Sequence, residues 1–251
     1  MNPDWLVPHW DAVGVGALMS TRRGGFSAAP YDSMNLRGDI GDDPQAVHSN
    51  QRLFAESIGT TPVYLNQVHG AAVVRLSAAD AAPDAPLHDA DASVTTDLGL
   101  ACAVQVADCL PVLFAAPGGV AAAHAGWRGL AAGVLEATLR SLCEAARCEP
   151  AQVQVWLGAC IGPRQFQVGP DVLRAFGASE DASDPSRFKP GATPGKWLAN
   201  LPLLARDRLQ ACGVRAITGG IWCTVEDASR FFSFRRDRIT GRMVAAVWRR
   251  G

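Results

Sequence analysis

Many short apolar runs, interrupted by three or four helical stretches without a regular strand–helix alternation, predict an α+β or irregular layered α/β fold. The chain has 251 residues, 48% of them hydrophobic, which is enough for a sizeable core. No internal repeat, charged linker or long low-complexity tract divides it, so 1–251 reads as a single domain. The two weakest segments, 78–86 and 177–195, are rich in Ala, Asp, Ser, Pro and Gly and read as surface loops.

The elements follow in order. Residues 13–21 form a strand that ends in the turn Arg22-Arg23-Gly24-Gly25. Asp43 then Pro44 is an N-cap followed by a first-turn proline, and Gly59 stops that helix. The apolar runs 63–67, 73–76, 92–95, 100–106, 112–116 and 120–123 suit buried strands. Apolar residues at helical spacing (Leu130, Val134, Leu135, Leu139, Leu142) predict one helix over 130–148. Residues 153–157 give another strand, and Asn200 opens a helix that Gly213 closes. Residues 231–234 and 243–248 read as a hairpin around Thr240-Gly241.

Composition removes several function classes. With 23 basic and 24 acidic residues the net charge is −1, so no electrostatic footprint for nucleic acid or a membrane surface exists. The first eleven residues lack the apolar stretch of a signal peptide, and no run approaches a membrane span. Seven cysteines, an odd number without close pairing, read as reduced thiols, and the expected compartment is the cytoplasm.

Three segments carry the chemistry: Asn66-Gln67-Val68-His69-Gly70, Ala107-Asp108-Cys109-Leu110-Pro111 and His124-Ala125-Gly126-Trp127-Arg128-Gly129. Each puts a metal-capable side chain at an expected strand end, and two imidazoles with one thiolate suit zinc while leaving a fourth position open. Taken singly, each has an ordinary alternative: a hydrogen-bonded histidine, an inert thiol, a tight strand-to-helix turn without a ligand. The helix start after His124, with Arg128, could hold an anion. Arg22 in its Gly-rich turn could hold phosphate, and Ser233-Phe234-Arg235-Arg236-Asp237 joins aromatic rings to guanidinium groups. Asp91 reads as a partner behind the ligands or as a cap.

Together with Ser20-Thr21-Arg22, Met34-Asn35-Leu36, Asp91-Ala92 and Gly158-Ala159-Cys160-Ile161-Gly162-Pro163, these segments resemble the YfiH/laccase-domain family, in order and over nearly the whole chain. The resemblance implies a layered α/β/β/α architecture with mixed sheets flanked by helices. It implies His69, Cys109 and His124 as ligands of Zn²⁺, and purine nucleoside phosphorylase activity with adenosine deamination as a second activity. Adenosine, inosine, guanosine and methylthioadenosine are the implied nucleosides, and editing of peptidoglycan precursors has been tied to some members. On that reading the partners are a small-molecule nucleoside and phosphate, and the chain is a monomer or weak homo-oligomer. Arg22, Gln67, Arg128 and Arg235 are the candidate phosphate- or substrate-binding residues. Asp108 is the candidate proton shuttle beside Cys109 and His124.

Two other mechanisms use the same residues. A Cys109–His124 nucleophile–base pair would make a hydrolase. A copper-dependent phenol oxidase ranks behind it, because a multicopper centre needs about ten imidazoles. The chain has five, at His9, His48, His69, His88 and His124. Copper is therefore second to zinc as the expected metal.

Overall fold

The structure is a computed structural model that describes residues 2–82, 84–179 and 184–251. Strand β1 (Val15–Met19) precedes helix α1 (Pro44–Ile58), which begins and ends where its caps dictate. The Asp43 carboxylate accepts from the Gln45 N–H at 3.1 Å, and Gly59 closes the helix at φ 68°. Short strands β2 (Thr61–Val63) and β3 (Val73–Arg75) lead to β4 (Ala92–Thr95). Strands β5 (Leu100–Val106), β6 (Leu110–Ala116) and β7 (Gly119–Ala125) are buried along their whole length, which is why they read as continuous apolar runs. Helices α2 (Trp127–Ala131) and α3 (Val134–Ala146) follow, then β8 (Gln154–Leu157). Next come β9 (Gln167–Val168), α4 (Pro170–Ala175), β10 (Phe188–Pro190), β11 (Trp197–Ala199) and α5 (Leu201–Ala211). The chain ends with β12 (Ala216–Gly219), the single turn α6 (Phe234–Asp237) and β13 (Met243–Arg249).

Two mixed sheets make the centre. One has the order β1-β13-β5-β2, the other β12-β8-β6-β7-β4-β3, and β10-β11-β9 form a small third sheet. The pleat sorts side chains between layers. Val104 and Val106 of β5 and Ala245 and Val247 of β13 meet Leu113, Ala122 and Trp156 of the larger sheet in a core between the sheets. From the opposite face of the smaller sheet, Ala103, Val244 and Ala246 pack on Phe54 and Ile58 of α1. From the outer face of the larger sheet, Val112, Phe114 and Ala123 pack on Leu135, Leu139 and Leu142 of α3 and on α5. The result is helix, sheet, sheet, helix, the α+β layering expected. Strand β5 lies in one sheet and β6 in the other, so residues 107–109 carry the chain across.

Four local expectations are corrected. Residues 231–234 are not a strand: Phe231 and Phe232 are buried in the inter-sheet core, and the Ser233 hydroxyl accepts from Arg236 N–H to cap α6. Strand β13 instead pairs antiparallel with β1 and β5. The helix predicted over 130–148 begins earlier and is broken at Gly133, whose φ of 91° lies outside the helical range. Residues 64–67 lie outside β2, tied instead by a bridge between Asn66 and Asp89. The expected loop 177–195 contains β10, while its residues 180–183, like residue 83 of the other expected loop, lie outside the described residues.

Candidate active site

The crossing between the sheets is where the three metal-capable side chains meet. His124 belongs to β7 and shares a pleat face with Val120 and Ala122, so its ring points toward the inter-sheet core near the strand's end. Cys109 lies in the crossing turn itself, after Asp108 at φ 93°. His69, at φ 61°, turns in from the loop before β3. Their ligating atoms lie within 4.8 Å of one another, with Cys109 Sγ 3.8 Å from His69 Nε2. The two imidazole rings meet edge to face at 4.8 Å. A metal ion could be bound here, and among the described residues it is the one such cluster of His, Cys, Asp and Glu.

Glycines let the three segments close. A Cβ on Gly126 would sit 3.0 Å from Cys109 Sγ and 3.1 Å from His69 Cδ2, and one on Gly129 would sit 2.6 Å from the Gly70 carbonyl. The spacing Gly-x-x-Gly is thus a packing requirement between the start of α2 and the His69 loop.

Asp91 is the residue behind the ligands. It is fully buried, and one carboxylate oxygen accepts from His69 N–H at 2.9 Å and from His124 Nδ1 at 2.8 Å. The other accepts from Gly70 N–H at 2.6 Å and Val68 N–H at 3.2 Å. One side chain therefore shapes the His69 loop and fixes His124 with Nε2 free to ligate. Burial pushes the Asp91 carboxyl up, but the hydrogen bonds from His124 and from the Gly70 and His69 N–H groups outweigh it and hold it below the usual range. Burial also pushes the Cys109 thiol up, yet the His124 charge and bonds from both imidazoles bring it down to about 6. Burial would lower His124, but the Cys109 charge and the Asp91 bond raise it to about 9. Both shifts favour a thiolate beside an imidazolium in the metal-free protein. The other cysteines are free, and burial raises Cys102 to about 12 and Cys160 well above the usual range.

These residues open on a cavity of about 480 Å³, within the ~300–1,000 Å³ of small-molecule sites. Its walls hold four arginines (Arg37, Arg128, Arg235, Arg242) against two carboxylates (Asp39, Asp108), with the apolar Ile161, Phe166, Leu201 and Phe234. Of the predicted binding residues, Gln67, Arg128 and Arg235 line it. Gln67 already exchanges two hydrogen bonds with the Gln105 backbone, at 2.8 and 2.9 Å. Arg128 lies over Trp127 at 4.5 Å. Arg235 donates to the Gln167 carbonyl and sits 5.5 Å from the Phe166 ring. Arg22 is not brought to this cavity. It pairs with Asp32 at 3.3 Å, donates to the Ala228 carbonyl and lies over Phe232. Asp108 lines the cavity, but one of its oxygens accepts from Thr224 at 2.6 Å and the other from Arg235 N–H at 2.6 Å. It braces α6 against the crossing turn. Arg37 and Arg242 were missed from sequence, although each directly follows a segment that stands out there, Met34-Asn35-Leu36 and Thr240-Gly241.

Residues 16–250 match the family described as multi-copper polyphenol oxidoreductase laccase. The chain belongs to that family. It is 49% identical to a protein of Pseudomonas aeruginosa named purine nucleoside phosphorylase, covering 97% of this chain and 98% of that one. It is 46% identical to the purine nucleoside phosphorylase YfiH of Escherichia coli, with 97% and 98% covered. The crystal structure of YlmD from Geobacillus stearothermophilus superposes with a TM-score of 0.90 at 31% identity, covering 100% of this chain and 98% of that one. A Neisseria meningitidis protein of known structure also gives 0.90, at 42% identity and 99% and 100% coverage.

Proposed function

We propose that the protein is a zinc-dependent purine nucleoside phosphorylase, taking adenosine, inosine, guanosine or methylthioadenosine with phosphate to free base and the sugar 1-phosphate, and deaminating adenosine as a second activity. The observation that carries the reading is a cation-rich cavity joined to the His69–Cys109–His124 cluster, in a chain whose relatives bear that name. Zinc fits the donors. Tetrahedral coordination with ~2.3 Å to sulfur and ~2.0–2.1 Å to nitrogen separates S and N by about 3.6 Å, close to the 3.8 Å seen. Bound by His69, Cys109 and His124, zinc supplies a Lewis-acidic centre.

The chain's own residues do the rest. Phosphorolysis joins a phosphate oxygen to the anomeric carbon as the C–N bond breaks and its electron pair leaves with the purine. The arginine-rich wall attracts the anionic phosphate. The exposed face of Phe234 offers a stacking surface for the purine. Ile161, Phe166 and Leu201 exclude water from the apolar side. Asp91 keeps His124 in one tautomer and orientation. Asp108, with both oxygens engaged, holds Phe234 and Arg235 against the cavity in place of moving a proton.

A second reading is favoured by the Cys109 thiol near 6 beside two imidazoles: with no metal bound, Cys109 has the character of a nucleophile in a hydrolase, with a peptidoglycan precursor as the substrate. Purified, metal-defined protein incubated with adenosine, with and without phosphate, tests both. Adenine with ribose 1-phosphate, formed only when phosphate is present, is the expected result. Inosine alone would leave only deamination, and no conversion would overturn the nucleoside reading.

A further inference from the structure

The motif Met34-Asn35-Leu36 contributes nothing to the ligand cluster, yet its asparagine is fully buried. The Asn35 side chain accepts from the backbone N–H of Arg37 at 3.1 Å and of Arg242 at 2.9 Å. It donates to the Arg37 carbonyl at 2.9 Å and to Asp42 at 2.8 Å. The Leu36 N–H adds a bond to the Arg242 carbonyl at 3.1 Å. Two segments 207 residues apart are stitched at one point, and both place an arginine in the cavity wall.

The two arginines differ in their partners. Arg37 is held on both oxygens of Asp39, at 2.6 and 3.0 Å. Arg242 uses Nη1 on the carbonyls of Thr240 and Gly241, at 2.8 and 3.1 Å, and lies 5.8 Å from the Phe234 ring centre. Among the described residues no carboxylate pairs with Arg242, and nothing accepts from its Nε or Nη2. That leaves one edge of the guanidinium as a fixed fork with two parallel donors, the shape that grips two oxygens of a phosphate. A partly buried cation beside a second cation is costly unless an anion joins it. Burial and the Arg37 charge depress Arg242 below the usual arginine range, outweighing the opposite charges of Cys109, Asp108 and Asp39. Arg128 and Arg235, by contrast, are exposed to solvent.

We infer that Arg242, backed by Arg37 and fixed by Asn35, is the seat of the phosphate, while Arg128 and Arg235 attract the anion from solution. The identity of the anion as phosphate rests on the phosphorylase reading above. Arg242→Gln, Arg242→Lys and Arg128→Gln are made in the metal-loaded full chain. Inorganic phosphate is titrated into each by calorimetry, and KM is measured separately for phosphate and for nucleoside. Loss of a charge-assisted fork predicts that Arg242→Gln raises the phosphate Kd and KM by about 10- to 100-fold with the nucleoside KM little changed. Arg242→Lys recovers only part of this, and Arg128→Gln moves the phosphate Kd far less. Should Arg242→Gln fold poorly, Arg242→Lys carries the test, and wild-type phosphate affinity in it overturns the inference. Phosphate-dependent cleavage that is indifferent to Arg242→Gln removes the seat and leaves the phosphorylase reading standing. Phosphate binding that depends on Arg242 in a protein that cleaves no nucleoside does the reverse.

Discussion

Replacing Asp91 by asparagine keeps the shape of the side chain and removes half of what it does. Each carboxylate oxygen accepts two donors: His69 N–H and His124 Nδ1 on one, Val68 and Gly70 N–H on the other. An amide presents one acceptor oxygen, so whichever way the new side chain turns, its NH₂ faces two donors in a fully buried position. Hydrogen bonds to a charged group are worth about 1.5–3 kcal/mol each, and two are lost. The expected destabilisation of the metal-free protein is about 3–6 kcal/mol, measured by urea unfolding with the slope unchanged. Loss of the partner that orients His124 predicts a metal affinity lower by about 10- to 100-fold, read by competition with a chelating dye. The pH dependence has a definite sign. Asp91 is held below the usual carboxylate range when folded, so its stabilisation is complete above the unfolded value of about 3.9 and fades as the pH falls through the lower folded value. Wild type and Asp91→Asn therefore converge in stability in acid. A variant within about 1 kcal/mol of wild type at pH 7, with unaltered metal affinity, would show that this carboxylate organises neither the loop nor the ligand.

Other outcomes follow from the same geometry. Gly126→Ala should lower metal affinity while leaving the far-UV circular dichroism unchanged, because its Cβ would lie 3.0 Å from Cys109 Sγ; full metal occupancy in this variant would remove the close-packing argument. Iodoacetamide should label Cys109 quickly at pH 7.5 in metal-free protein, whose thiol lies near 6, and slowly once metal is bound. Fast labelling in the loaded protein would favour the nucleophile reading. Phe54, buried between α1 and the smaller sheet, should cost about 3–5 kcal/mol as Phe54→Ala without touching the site, and an effect below about 1 kcal/mol would mean that this layer collapses onto the gap.

What could be read from sequence was what is decided locally or by long uninterrupted burial. Asp43, Pro44 and Gly59 announce α1 because capping involves only neighbouring residues. Strands β5 to β7 show as apolar runs because both their faces are covered. His69, Cys109 and His124 were legible because few other residues bind metal and each stands in a distinctive segment. The failures share a cause in distance. Phe231 and Phe232 look like strand residues because the core between the sheets needs them, while Ser233 starts a helix. The break at Gly133 lies inside an apolar pattern that continues on both sides of it. Arg22 lies away from the cavity because its guanidinium is engaged by Asp32, ten residues on, and by the Ala228 carbonyl, 206 residues on. Arg242 gave no signal because its meaning depends on Asn35, 207 residues away.

The passage from β5 to β6 leaves the chain no slack. Residues 107–109 span two sheets, and the same three residues carry Asp108 and Cys109 into the cavity. Adding one residue there would have to be swallowed as a bulge beside the thiol or passed into β6, where a shift by one position turns Val112 and Phe114 away from α3 and brings Leu113 out of the core between the sheets. At the other end of β6 the exposed turn at 117–118 has no such duty, with Gly118 at φ 87° and both residues open to solvent. An epitope or fluorophore belongs at that turn. Length at the crossing is as much a part of the site as the side chains are.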